Sequence, residues 1–206
     1  MAETILVTGG AGYIGSHIVI ELARAGYAPI VLDSFVNSSR AVLPRLEALA
    51  GRPILCIEAD VRDVDALRAA FHDHPFAAAI HCAGLKAVGE SGERPLAYYD
   101  VNVSGTLALA EVMGEAGVAT LVFSSSAAVY GQPDRLPATE EAPLQPLSAY
   151  GRTKRASEDF LRDLAHSNAN WRIALLRYFN PAGAHESGQI GEAPNGRPSN
   201  LIPLLC

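Results

Sequence analysis

The spacing of apolar residues along this chain changes repeatedly between two modes, unbroken short runs and a recurrence at every third or fourth position. Thr4–Thr8 is such a run, and beyond a break Ile14, Ile18, Leu22 and Ala25 repeat at helical spacing. The same succession returns. Runs at 29–32, 54–58, 78–82, 120–123 and 171–176 predict further strands. Between them, Ala41 to Leu49 reads as a short helix interrupted by Pro44. Asp63 is placed to cap a helix whose apolar face is Val64, Leu67, Ala70 and Phe71, and Pro75 ends that pattern. Pro95 opens a long helix with Leu96, Tyr99, Val103, Leu107 and Ala110 on one stripe, its neighbourhood broken by Asn102. Tyr150 to His166 reads as another helix. Gly131 to Ala149 holds Pro133, Pro137, Pro143 and Pro146, so a long irregular loop is expected there, and loops of that length usually serve function. From Arg177 to Cys206 little periodicity remains. Strands alternating with helices predict a parallel sheet covered on both faces, a doubly wound α/β fold.

Composition bounds the partners. With 206 residues, 49% hydrophobic and 18% charged, the chain is an ordinary globular one, long enough for one domain and the beginning of a second. A net charge of −6 argues against nucleic acid or an anionic membrane as the main partner. No window approaches the apolar length of a membrane helix. Glu3 and the immediate first strand argue against a signal peptide. Cys56, Cys82 and Cys206 are odd in number and lack CxxC spacing, which fits a reducing cytoplasm and leaves no metal site to expect.

Candidate chemistry begins between the first strand and helix. Thr8-Gly9-Gly10-Ala11-Gly12-Tyr13-Ile14-Gly15 is a glycine turn that lets main chain approach a pyrophosphate while the helix amides point at the anion. Asp33 ends the second strand, roughly 20 residues downstream, where a carboxylate accepts hydrogen bonds from an adenosine ribose. An anion there disfavours a 2′-phosphate, so NAD is expected over NADP; Arg40 is a nearby cation that would soften the preference. Polar residues also mark the other strand ends: Asp60, Lys86, Ser124 and Ser126, Tyr178 and Asn180. Tyr150 and Lys154 fall at i and i+4 on one helix face. Bringing a phenol from a pKa of about 10 to near 7 takes roughly 4 kcal/mol. One cation at ~5 Å and an effective dielectric of ~20 supplies on the order of 3 kcal/mol. Lys154 and an oxidised nicotinamide together would therefore make Tyr150 a base for an alcohol proton, with Ser126 orienting the hydrogen bond.

The residues TGGAGYIGSH at 8–17, AGLKAVGES at 83–91, SSSAAVYG at 124–131, YGRTK at 150–154, RYFNPAGAH at 177–185 and NLIP at 200–203 carry a resemblance. The chain is similar to the extended short-chain dehydrogenase/reductases and, within them, to the UDP-glucose (UDP-galactose) 4-epimerase family. The resemblance implies a Rossmann domain over 1–180 and the start of a truncated substrate-binding region over 181–206. It implies a resident NAD and a UDP-sugar substrate of galactose metabolism, with a 4-keto sugar formed and reduced in the same site. Ser126, Tyr150 and Lys154 would be catalytic. Around the cofactor it places Gly9, Gly12, Tyr13, Ile14, Gly15, Asp33, Asn37, Ser38, Asp60 and Val61 at one end. At the other it places Cys82, Ala83, Gly84, Lys86, Asn102, Ser124, Tyr150, Lys154, Tyr178 and Pro181. Lys86, Ser126, Tyr150, Phe179, Asn180, Asn200 and Leu201 would meet the nucleotide sugar. A homodimer is implied through the helices near Leu96–Ala110 and Tyr150–His166, unless their apolar stripes merely pack on the sheet. The chain departs from the family at Cys82, often aromatic, at Ser34, often Asn, and in ending well over a hundred residues early.

Two alternatives follow. A nucleotide-sugar 4,6-dehydratase needs an added acid and base beside the serine cluster, where this chain has Ala127-Ala128, which move no proton. A catalytically silent NAD-binding fragment is consistent with the short length but leaves Ser126, Tyr150 and Lys154 unexplained.

Overall fold

The computed structural model describes residues 2–193. Six parallel strands form one sheet: β1 (Thr4–Thr8), β2 (Ala28–Asp33), β3 (Cys56–Glu58), β4 (Phe76–His81), β5 (Thr120–Ser126) and β6 (Arg172–Tyr178), in the order β3-β2-β1-β4-β5-β6. The chain winds one way from β1 to β3 and the other way from β4 to β6. The direction reverses between β1 and β4, which opens a crevice at their carboxyl ends. Helices α1 (Tyr13–Arg24), α2 (Leu43–Ala50), α3 (Val64–Asp73), α4 (Val88–Glu93), α5 (Pro95–Tyr99), α6 (Gly105–Glu115) and α7 (Ala149–Ser167) supply the connections.

Alternation along the strands divides the core. Leu6, Leu32, Ala79, Leu121 and Phe123 pack with Leu67, Leu109, Met113 and Leu161 on the face covered by α3, α6 and α7. Val7 and Val31 pack with Val19, Ile20, Leu46 and Ile54 under α1 and α2. A fully buried Leu or Ile contributes roughly 2 kcal/mol relative to exposure, so these two layers fix the register of the central strands. The expectation of a sheet covered on both faces holds only in part. On the α1–α2 face, the β6 residues Ala174 and Leu176 remain exposed among the described residues.

Local chemistry accounts for how the elements compare with those expected. Pro44 lies in the first turn of α2, where its missing N–H costs nothing, so it starts that helix and does not interrupt it. Asp63 does cap α3, accepting from the Ala66 N–H at 3.0 Å. The helix opened by Pro95 continues through a π-helical turn, Asp100–Ser104, into α6. Its sheet-facing side is Tyr98, Asn102, Thr106, Leu109 and Met113. The stripe with Leu96, Tyr99 and Leu107 points outward, at 83%, 39% and 47% exposure, and only Ala110 of that stripe is buried. The helix is apolar on two sides, and periodicity alone does not say which side meets the sheet.

Candidate active site

The glycine turn between β1 and α1 is built by contacts that exclude side chains. Gly9 has a φ of +68°, and a Cβ there would lie 2.6 Å from the Ala83 nitrogen. A Cβ on Gly15 would lie 2.1 Å from the Gly9 carbonyl oxygen. Gly12 at the helix N-cap offers no side-chain acceptor, and no acidic residue stands in the first turn of α1. The first amides of α1 are left for an anion, and the cradle fits a pyrophosphate. Tyr13 and Ile14 follow directly, partly buried.

Asp33, buried at the end of β2, accepts from the Ala11 N–H at 3.0 Å, the Phe35 N–H at 2.9 Å and the Ser38 hydroxyl at 2.8 Å. The carboxylate thus braces the glycine turn and the following loop at once, with Asn37 exposed on that loop. Arg40 is turned away from this role. It pairs with Glu58 and stacks 4.6 Å above the Phe35 ring. Asp60 is held by Arg62, whose hydrogen bonds pull the carboxyl below its usual range against a smaller opposing push from burial. Val61 is buried against Gly105.

The wall between the two halves comes from the segment after β4. Ala83 backs onto Gly9, and a Cβ on Gly84 would be 3.6 Å from the Lys154 Nζ. One short segment therefore joins the glycine turn to α7. Asn102 clamps it: its Oδ1 accepts from the Leu85 N–H at 2.8 Å, and its Nδ2 donates to the Leu85 carbonyl and the Thr153 hydroxyl, both at 3.0 Å. His81, fully buried, joins β1 to α6. Thr106 donates its proton to the Asn102 carbonyl, so it accepts from the His81 Nε2, and the Nδ1 accepts from Thr8 at 2.6 Å. Burial, with a smaller push from the Lys154 charge, drives the imidazole pKa down to about 3, and the ring is neutral.

Ser148 caps α7 by accepting from the Gly151 N–H, and this sets Tyr150 and Lys154 in the first turns. Lys154 is buried; it donates to the Ser124 carbonyl at 2.8 Å and lies 4.8 Å from the Phe123 ring centre. Burial lowers its pKa to about 8, opposed by Cys82. Ser126 accepts from the Ala128 N–H, which leaves its own proton free to act on the nearby Tyr150 phenol. For Tyr150 burial is the larger influence, and the phenol sits above its ordinary pKa although Ser126 pulls it down. Desolvation holds the phenol above its ordinary value, and the base expected from the spacing rests on Lys154 together with an oxidised nicotinamide.

Cys82 is a free thiol raised to about 12 by burial, partly offset by Lys154. Tyr178 is raised by burial and by Cys82, while Phe179, Asn180 and Pro181 are exposed beyond it. Lys86 pairs with Glu192 at 2.8 Å. The segment around them crosses the mouth of the glycine turn: the Tyr13 hydroxyl donates to the Gly183 carbonyl at 2.6 Å, and Ile190 is buried with Val7, Ala11 and Leu46. Asn200, Leu201 and Cys206 lie outside the described residues.

Sequence reasoning missed a buried group behind the site. Glu158 accepts from Ser125 at 2.5 Å, from two nitrogens of Arg177 at 2.9 and 2.7 Å, and from Arg162 at 3.2 Å. Burial is the largest single influence on its carboxyl and pushes the pKa up. The bonds from Arg177 and Ser125 and the charges of Arg177 and Arg162 together outweigh it, so the net pKa is lowered. The signal was present, since 158 continues the spacing of 150 and 154.

Comparison with known proteins agrees with this geometry. UDP-glucose 4-epimerase 4 of Oryza sativa subsp. japonica is 54% identical over 207 residues, covering 99% of this chain and 56% of that protein. UDP-glucose 4-epimerase of Neisseria meningitidis serogroup A is 51% identical, covering 99% and 60%. The chain therefore spans 56–60% of the length of these curated relatives. Among solved structures, UDP-glucose 4-epimerase from Bifidobacterium longum in complex with NAD+ and UDP superposes with a TM-score of 0.96 at 48% identity, over 98% of this chain and 61% of that one. The family model described as NAD dependent epimerase/dehydratase matches residues 5–206, and the chain belongs to that family.

Proposed function

We propose that this chain carries the cofactor site and the acid–base residues of a UDP-glucose 4-epimerase, interconverting UDP-galactose and UDP-glucose in the galactose metabolism of the cytoplasm. The observation that carries the reading is the shared wall at Ala83–Gly84, with the anion cradle of β1–α1 on one side and Lys154 on the other. When bound, NAD supplies the hydride acceptor and a positive ring beside the phenol. Residues 9–15, Asp33 and Ser38 would hold its adenosine and pyrophosphate, and Lys154 its nicotinamide end. The task of the chain's own residues is to move one proton at the Tyr150 oxygen. Ser126 donates to that oxygen and stabilises it when ionised, Lys154 fixes the strand end beside it, and burial keeps water from competing. Phe179 and Asn180, exposed at the end of β6, would meet the sugar nucleotide.

The domain division is part of the proposal: residues 1–180 hold the cofactor, and 181–206 begin the substrate-binding region. So is the assembly. The outward stripe with Leu107, beside Phe160 and Leu164 of α7, lines a shallow apolar groove that supports a homodimer through these helices. The described helices include none long and apolar enough to cross a membrane.

Tyr150→Phe in the complete polypeptide should lower turnover by roughly 10³-fold or more while NAD stays bound, measured by conversion of UDP-galactose to UDP-glucose. Unchanged turnover would remove Tyr150 from the mechanism. The 206-residue chain itself, incubated with UDP-galactose, separates two readings: bound cofactor without product favours a silent NAD-binding unit.

A further inference from the structure

The end of β5 is fastened to α7 at two consecutive residues, and a third faces it. The Ser124 carbonyl accepts from Lys154, the Ser125 hydroxyl donates to Glu158, and the Ser126 hydroxyl lies near enough to the Tyr150 phenol to pull its pKa down. Tyr150, Lys154 and Glu158 stand four residues apart, on one face of the helix. Only the first two belong to the acid–base machinery. Glu158 has a side-chain exposure of 0%, and an ionised carboxylate is an acceptor only. Ser125, Arg177 and Arg162 already supply four hydrogen bonds, so it has little capacity left for a ligand. Its contacts are instead mechanical.

Arg177 lies on β6 in register with Ser125, and its neighbour Tyr178 lies in register with Ser126. The same guanidinium donates to the Tyr130 hydroxyl at 2.8 Å and to the Glu140 carbonyl at 3.3 Å, and it stacks on the Tyr130 ring. The Glu158–Arg177 pair thus ties together α7, β5, β6 and the segment leaving β5. All four meet behind Ser126.

We propose that Glu158 is a positioning residue, which through Ser125 and Arg177 sets the register of α7 against β5 and so keeps the Ser126 hydroxyl on the Tyr150 phenol. The role deepens the functional reading and rests on Tyr150 being the proton-transfer group. A carboxylate serves here because one group must accept from two strands at once; a neutral amide of the same shape would spend part of its capacity as a donor facing Arg177.

The charged and titratable groups around this arrangement are Arg177 on β6, Arg162 on α7 and Tyr130 after β5, with Lys154 and Cys82 on the far side. Their fields allow a test by sign. Removing the Glu158 charge acts through space to lower the pKa of a nearby phenol, because a negative neighbour is gone and Arg177 is unbalanced. Losing the Ser126 bond to the phenolate acts in the opposite direction.

The experiment is a pH titration of the 206-residue chain carrying ¹³C at the tyrosine Cζ, with the Tyr150 resonance identified by its absence in Tyr150→Phe. In Glu158→Gln and in Ser125→Ala the Tyr150 pKa should rise by about 1, the value of one hydrogen bond to a charged group. Ser125→Ala leaves the Glu158–Arg177 pair and every charge in place, so it decides the matter if Glu158→Gln fails to fold. A rise in either variant supports the positioning role. A pKa that is unmoved or lower in every variant that folds overturns it, whatever happens to the melting temperature. Unchanged turnover in Tyr150→Phe would strike the functional reading and leave this titration result standing.

Discussion

The two ends of the crevice at the sheet's carboxyl edge are made of different material. At the β1–β2 end the surface is main chain. Gly9 and Gly15 touch backbone where any Cβ would intrude, and the buried side chain there, Asp33, braces two amides and the Ser38 hydroxyl. At the β5–β6 end the surface is side chain: Ser126, Tyr150 and Lys154, held from behind by Ser125, Glu158 and Arg177. Apart from Ala83, which backs onto Gly9, the first end is local, written within one βαβ unit. The second joins residues 33 positions apart between Ser125 and Glu158 and 19 apart between Glu158 and Arg177. A binding surface made of peptide groups tolerates almost no substitution at its contact points, whereas one made of side chains can be altered piece by piece.

That contrast breaks most sharply at Gly15. Gly15→Ala should cost more than about 4 kcal/mol in denaturant unfolding and abolish NAD binding, because its Cβ meets a carbonyl that cannot move without the turn. A variant that keeps both stability and binding would show that the turn yields and that the two ends are not so different.

His81 comes next, as the seam between them. Its folded pKa of about 3 lies below the ordinary 6.5, so the unfolded chain binds the proton more tightly. The stability from its neutral form is complete above pH 6.5 and lost as pH falls toward 3, on the order of 5 kcal/mol. Subtracting the pH–stability curve of His81→Gln from that of the parent isolates this contribution; identical curves would refute it.

Lys154→Met sharpens the side-chain end. The lysine pKa of about 8 against an ordinary 10.5 means that burying its charge costs stability in full below pH 8. The variant should therefore be about 2 kcal/mol more stable at pH 7 without cofactor, and the gain should fade between pH 8 and 10.5. The smallest effect is expected at Arg40→Ala, an exposed pair with Glu58: less than about 0.5 kcal/mol in stability and no change in preference for NAD over NADP. A shift toward NADP or away from it would return Arg40 to the cofactor.

Legibility in the sequence follows the same division. Strand order aside, the β1–α1 turn and the place of Asp33 at the end of β2 were readable because period, glycine spacing and a strand-end acid all lie within one short stretch of chain. The position of Glu158 was readable as spacing, yet its role was not, since nothing in a linear sequence announces that Ser125 and Arg177 converge on it. The stripe of Leu96, Tyr99 and Leu107 was recognised as apolar, but its direction depended on which of two apolar sides the sheet selected. Pro44 was read as a breaker because the short helix was started two residues too early, at Ala41 in place of Leu43. The burial around Tyr150 was not legible for a different reason: a charge can be placed from spacing, while desolvation depends on everything else packed around the phenol.

With β1 standing between β2 and β4, a dinucleotide lying across the switch point would have one flank on rigid peptide groups and the other on replaceable side chains. Exchanges confined to the tips of β5 and β6 and the opening of α7 can redirect which bond is made or broken. The adenosine half need not notice. A scaffold partitioned in this way lets the reaction drift through descent while its electron carrier stays the same.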